Sequence, residues 1–285
     1  MNDIIPPDLL QQSQAERWAS YFWPGEQVLH NLLDIHDKTK LHDHEYRTTA
    51  QRELELRTGK TDIPRTGDML ELRRLHAHLF GDVYTWAGQY RTCSMRRADQ
   101  DFVFAREIEE IAPYIDDHLR SIPWPDLNFT DFVDRTSHSF LLLNWAHPFR
   151  EGNGRTTRLF MQRQVEHSPY TLDYSRVHPD EWNTAFKLDH PTHDEWPTDH
   201  PNLSVRLRQI AVARSTDPNR PLDPVNPADL NILLDRALQR SGSDISDAVA
   251  AAGLTPHAAA HASAPDPAGH IQPGTSPARE PDLEL

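Results

Sequence analysis

Residues 147–158 read HPFREGNGRTTR and gather an imidazole, a carboxylate, a glycine-flanked amide and two guanidinium groups. Gly152, Asn153 and Gly154 can turn main-chain N–H groups toward an anion, and a helix beginning near Arg155 adds the positive end of its dipole. Phosphate is the guest that such a bend suits. His147 is the general-base candidate, because imidazole titrates near neutrality. Glu151 supplies a hard oxygen of the kind that holds Mg²⁺ against phosphates. Arg155 and Arg158 can clamp phosphate oxygens. These residue types together describe a nucleoside triphosphate site with a base beside it.

A His-Pro pair alone ends a helix, and two glycines alone make a turn. Their coincidence with an acid and two arginines gives the stretch its chemistry. A dinucleotide fingerprint is excluded because its third glycine position is Thr157 and no strand precedes the loop; the lysine of a P-loop is absent as well. His42 with His44, His76 with His78, and His190 with His193 lack the ligand set of a closed zinc site and read as surface or helix residues. Trp86 and Trp145 read as core. Arg96 and Arg97, near Tyr90 and Phe102, read as a solvated face rather than a nucleic-acid contact. Cys93 has no activating neighbour and reads as an inert thiol.

The elements that must position this loop are mainly helical. Ile108, Ile111, Ile115 and Leu119 share one helical face, opened by Glu107, Glu109 and Glu110. Met69, Leu72, Leu75 and Leu79 repeat the spacing, as do Leu203, Leu207 and Ile210. Residues 28–33 follow a Pro24-Gly25 turn and are read as another apolar helical stripe. Phe129, Phe132, Thr136, Phe140 and Leu143 line a helix that leads into the motif. Pro148 stops it, pushing His147 out of the α region and clear of the ladder. Between Gly88 and Ile108 the pattern changes, and extended stretches at 90–95 and 102–105 predict a small β-hairpin. A helix over 227–239, with Leu230, Leu233, Leu234 and Leu238, closes the folded part. The remainder, 241–285, rich in Ala, Pro, His, Gly and Ser, is expected to be disordered.

The chain has 285 residues, one cysteine and a formal net charge of −14. That length buries a core without staples, and the lone Cys93 forbids an intrachain disulfide, which fits a reducing cytoplasm. The acidic balance argues against broad contact with nucleic acid or anionic membrane. No apolar run reaches spanning length, and the N-terminus lacks the pattern of a secretory signal.

HPFREGNGRTTR matches the HxFx(D/E)GNGRxxR signature of the Fic family at every specified position. YFWPGEQVLHNLLDI, LRRLHAHLFGDVYTWAGQYRT and YSRVHPDEW resemble Fic segments in the usual order. The resemblance covers residues 18–213. It leaves an N-terminal extension at 1–17, a helical extension at 214–240 and the tail at 241–285. It implies a mainly α Fic fold, a helical bundle with a short β-hairpin flap over the active site. It implies protein adenylyltransfer, in which AMP passes from ATP to a Ser, Thr or Tyr hydroxyl of a target protein and pyrophosphate leaves.

On that resemblance His147 is the base, Glu151 the Mg²⁺ ligand, and Gly152, Asn153, Gly154 and Arg155 the anion hole. Arg158 grips the γ-phosphate, and Phe149 is the buried anchor of the loop. The flap that registers a target by strand addition comprises Tyr90, Arg91, Thr92, Cys93, Ser94, Phe102, Val103 and Phe104. Many Fic proteins carry an inhibitory (S/T)xxxE(G/N) helix. Thr49 to Glu53 has the spacing but is followed by Leu54. Ser276 to Glu280 contains Pro277 and is followed by Pro281, so neither qualifies. The expectation is therefore a bacterial toxin restrained by a small antitoxin-type partner whose glutamate meets Arg158. It would be cytoplasmic, or delivered into another cell as an effector. Transfer of another nucleotide or of phosphate, and a catalytically silent binding module, are the alternatives.

Overall fold

The computed structural model describes residues 11–97, 100–186, 201–214 and 271–273. Eight α-helices are present among the described residues: α1 (Gln14–Ala19), α2 (Lys38–Arg57), α3 (Met69–Phe80), α4 (Ile108–Arg120), α5 (Phe129–Ala146), α6 (Asn153–Gln164), α7 (Pro179–Ala185) and α8 (Pro201–Ile210). Five short strands accompany them: β1 (Met95–Arg97), β2 (Gln100–Asp101), β3 (Tyr170–Leu172), β4 (Ala211–Ala213) and β5 (Ile271–Pro273).

Side-chain caps fix where the main helices begin. Asp37, Asp68 and Asn128 each accept a bond from the N–H three residues on, at 2.9, 2.9 and 3.0 Å, which satisfies a donor that a helix start leaves open. The apolar stripes predicted for α3, α4, α5 and α8 all face one core. Leu72, Leu75, Phe80, Ile115, Phe132, Phe140, Phe160, Leu203 and Leu207 are buried there. Each such side chain contributes about 1.5–3 kcal/mol by leaving water. In that core α3 packs on α6, and α5 lies against α4, α6 and α8, so the loop between α5 and α6 is held by the best-packed part of the molecule.

Two expectations need correction. Residues 28–33 are not helical: Phe22 and Leu29 form an antiparallel bridge. Asn31 then ties the following loop through Leu29, Leu33 and Ile35, offering the backbone partners that a helix would have used. The flap strands are shorter and nearer the turn than 90–95 and 102–105. Backbone groups in the approach bond to side chains instead, with the Thr92 N–H donating to Tyr21 Oη at 3.0 Å and the Ser94 N–H to Gln14 Oε1 at 3.0 Å. Phe104 caps a 3₁₀ turn over Ala105–Glu107 rather than continuing a strand.

The predicted helix at 227–239 lies outside the described residues. So does the expected disordered tail, apart from β5. That segment pairs antiparallel with β1, Met95 opposite Pro273 and Arg97 opposite Ile271, while β2 occupies the other edge of β1. The sheet order is β2-β1-β5. Among the described residues no helix is long and apolar enough to cross a membrane.

Candidate active site

His147 is the C-cap of α5 and leaves the helix through the left-handed region, at φ 39° and ψ 57°, yet it is not clear of the ladder as expected, because its N–H still donates to the Leu143 carbonyl at 3.0 Å. Pro148 explains the exit, though the residue adopts this cap conformation and not the extended one usual before proline. A non-glycine residue held there stores about 1–3 kcal/mol of strain. Arg91 holds it in place. This fully buried guanidinium donates Nε to the His147 carbonyl at 2.8 Å, Nη1 to the Cys93 carbonyl at 2.9 Å and Nη2 to the Ala146 carbonyl at 3.3 Å. It also reaches the Val103 carbonyl, and its own N–H donates to the Pro148 carbonyl at 2.8 Å. Arg91 therefore straps the end of α5 to both arms of the flap and offsets the negative end of that helix. Burial lowers its pKa to about 10, still fully charged at neutrality.

The His147 ring stacks on Phe102 with centroids 3.9 Å apart and planes 11° from parallel. Its Nδ1 is buried with no partner at hydrogen-bonding geometry, although the Asn144 backbone lies near enough to favour the charged ring slightly. Burial, and then the Arg91, Arg97 and Arg150 cations, push the imidazole well below its ordinary range. The group is neutral at physiological pH, the form a base requires.

The loop beyond it is locked from within. Phe149 is buried and stacks on the His76 ring at 3.8 Å. Asn153 accepts from the Phe149 N–H at 2.9 Å and donates to the Phe149 carbonyl at 2.7 Å. Both ends of that amide are thus used inside the loop, and only its main-chain N–H remains for an anion. Gly152 sits at φ 81°, where a Cβ would lie 2.2 Å from the Phe80 ring; glycine is required by conformation and by space. Gly154 has nothing within 4 Å of where its Cβ would stand, which leaves the first turn of α6 open. Gly152 supplies no side-chain cap, so the first N–H groups of α6 stay available to an anion.

His76 was read as a surface or helix residue, and it lies on a helix but fully buried. Its Nε2 meets the Glu151 carbonyl at 2.9 Å, and the Gly88 N–H donates to its Nδ1 at 2.8 Å. Burial takes its pKa to about 3, so it works as a neutral strut. Its place four residues after Leu72, on the apolar stripe of α3, was a signal in the sequence that this histidine faces inward.

The rest of the lining carries charge. About a third of the Glu151 side chain, 35%, is exposed. Burial and the nearby Glu45 raise its pKa, and Arg155 opposes them. Arg155 pairs with Glu45 from α2 and lies between the Tyr46 and Phe80 rings, 4.6 and 4.8 Å from their centroids. Glu45 was missed at the sequence level, since nothing in a helix without an apolar stripe marks it. Arg158 is half-buried, and among the described residues no carboxylate pairs with it. His147, Glu151, Gly154, Arg155, Arg158 and Glu45 all line one cavity of about 660 Å³, a size that suits a nucleotide.

The eight residues assigned to the flap divide by burial. Arg91, Cys93, Phe102 and Val103 are buried, and Tyr90, Thr92, Ser94 and Phe104 are half-buried. The buried side chains among them pack the flap against the body. Burial raises the Cys93 thiol pKa, consistent with an inert residue.

The Fic/DOC family model matches residues 68–165. Protein adenylyltransferase VbhT of Bartonella schoenbuchensis is 35% identical over 171 residues, which are 58% of this chain and 34% of that protein. This chain thus spans about a third of VbhT. A probable protein adenylyltransferase of Sinorhizobium fredii, y4lH, is 32% identical over 164 residues, covering 55% of this chain and 80% of that one. Among solved structures, the N-terminal Fic domain of a Bartonella effector protein, from Bartonella sp. AR 15-3, superposes with a TM-score of 0.59. It is 27% identical and covers 68% of this chain and 91% of its own.

Proposed function

Because the chain belongs to the Fic/DOC family, we propose that it transfers AMP from ATP to a hydroxyl of a target protein. The observation that carries this reading is the arrangement around one cavity. A neutral, fixed imidazole, the open start of α6 and the Arg155 and Arg158 side chains line it together. The hydroxyl oxygen of the target attacks the α-phosphorus, the bond from that phosphorus to the β-phosphate bridge breaks, and pyrophosphate leaves. His147 takes the hydroxyl proton as the new P–O bond forms. The main-chain donors at the start of α6 and the two arginines hold the triphosphate in line and neutralise its charge.

Glu151 presents one partly open carboxylate to the cavity, which fits a Mg²⁺ that takes its remaining ligands from phosphates and water. Held there by Glu151, the ion would supply neutralisation of charge on the leaving group. Arg158 lines the cavity, a position that a glutamate brought by a separate partner, as in a toxin held by its antitoxin, would engage. The test of the reaction is incubation of cell lysate with α-labelled ATP and the chain, wild type beside His147→Ala. Label on protein with the former and none with the latter supports it; label with neither, from chain shown to be folded, rejects it.

A further inference from the structure

Arg155 is gripped by a residue that no motif includes. Glu45 lies 110 positions earlier in the chain, in the middle of α2, and its side chain is only 6% exposed. One carboxylate oxygen takes Arg155 Nη2 and the other takes the Tyr84 hydroxyl. Glu151 stands 3.6 Å from the same Nη2, a looser approach. Both Glu45 oxygens are therefore committed. The guanidinium is sandwiched between two rings, and Nη1, the nitrogen Glu45 does not hold, is buried without a partner.

A buried ion pair is a weak source of stability, because desolvation offsets most of the attraction. A dry, unpaired guanidinium nitrogen makes the arrangement worse as pure architecture. The cost is explained if Arg155, which lines the cavity, completes its bonding on a ligand. We propose that Glu45 is a positioning residue which, backed by Tyr84, fixes the Arg155 guanidinium so that its unpaired donor serves a phosphate oxygen of the nucleotide. This rests on the nucleotide-transfer reading. Glu45 itself touches no substrate and acts through Arg155.

The experiment is a double-mutant cycle on ATP affinity, by calorimetry in the presence of magnesium, with Glu45→Gln, Arg155→Gln and the two together, each checked by circular dichroism. Glu45→Gln is expected to weaken ATP binding about tenfold, and to add no further loss once Arg155 is glutamine. A general packing role would instead make the two losses add, and that result overturns the proposal. So does ATP binding by Glu45→Gln that equals or exceeds wild type, since a carboxylate that merely competed with phosphate would tighten binding when removed. Should Glu45→Gln not fold, Tyr84→Phe serves in its place; it keeps the ion pair and loses one bond to Glu45. It is expected to weaken ATP binding about two- to threefold, and unchanged binding overturns the proposal. Wild-type chain that takes up no ATP removes the nucleotide reading itself, an outcome distinct from all of these.

Discussion

The two walls of the cavity are built on opposite principles. The wall that carries His147 is backed, behind the cavity lining, by apolar and stacked packing: Phe102 on the imidazole, His76 on Phe149, Arg91 spending its donors on carbonyls. The wall formed by Glu151, Arg155 and Arg158 is charged and surrounds a helix start that lacks a cap. The contrast explains how one short loop serves two tasks. A base must be neutral and still, which low dielectric and tight packing provide; a triphosphate must be met by donors that nothing else has claimed. Substitutions should therefore divide by wall, some removing chemistry, some the fold and some the ligand.

The largest separation comes from His147→Ala. Transfer should fall by about 10²- to 10⁴-fold, while ATP affinity stays within a factor of about two, because the phosphate donors lie on the other wall. Single-turnover labelling beside a binding titration measures both. Loss of binding in step with transfer would show that the walls are not separable.

Phe149→Ala should cost about 3–5 kcal/mol of stability, read from denaturant unfolding, since the ring is buried against His76. Arg158→Ala on the opposite wall should leave the unfolding midpoint in place and weaken ATP by about 1.5–3 kcal/mol, the range for a hydrogen bond to a charged group. An Arg158→Ala variant that unfolds as easily as Phe149→Ala would end the distinction.

Much of this division could be read from the sequence, and its gaps have physical causes. The stripes of α3, α4, α5 and α8 repeat at helical spacing, because each buries one face, and Pro148 marked the exit that frees His147. α2 escaped notice because its buried set is Leu41, Ala50, Glu45, Thr48, Thr49 and Glu55. A helix held by ion pairs such as Arg52 with Asp82 and Arg57 with Glu53 shows no apolar stripe. Residues 28–33 misled for the opposite reason: apolar side chains in a short run fit a bridge as well as a helix. Arg91 shows a third limit. Its neighbours suggested only an extended segment, and its partners are carbonyls brought together only by the fold.

Acid should act on the apolar wall first. His76 is held at about pKa 3 and His147 well below its usual range, both chiefly by burial. A histidine kept neutral in the fold contributes fully above its unfolded pKa of about 6.5. It loses that contribution as pH falls from there toward the folded value, because the unfolded chain binds the proton first. Unfolding free energy measured by urea should therefore fall from about pH 6.5 toward pH 4, and His76→Gln should flatten the slope by up to one proton. Single-turnover transfer should show no acid limb centred at the ordinary histidine value. A midpoint near 6.5 would mean that His147 titrates as an exposed imidazole and that the apolar wall does not tune it.

The smallest effect concerns the one edge where the apolar wall meets the chain's own tail. On the strand-addition reading of the flap, a target segment lies along β1. One side of β1 is taken by β2 and the other by Ile271–Pro273. That occupant is weak by construction. It is three residues long and ends in a proline, which has no N–H to give to the ladder. A tethered strand held by a few edge bonds, each worth about 0.5–1.5 kcal/mol net, is displaced readily but not freely. Ending the chain at residue 270 should raise the initial rate of target labelling by about two- to tenfold, with ATP affinity unchanged, because the charged wall is not touched. Replacing Gln272 by proline, which removes one more donor, should give part of the same gain. Equal rates for the shortened and full chains, at limiting target, would mean that a target approaches the flap by some route other than the side of β1 that Ile271–Pro273 occupies.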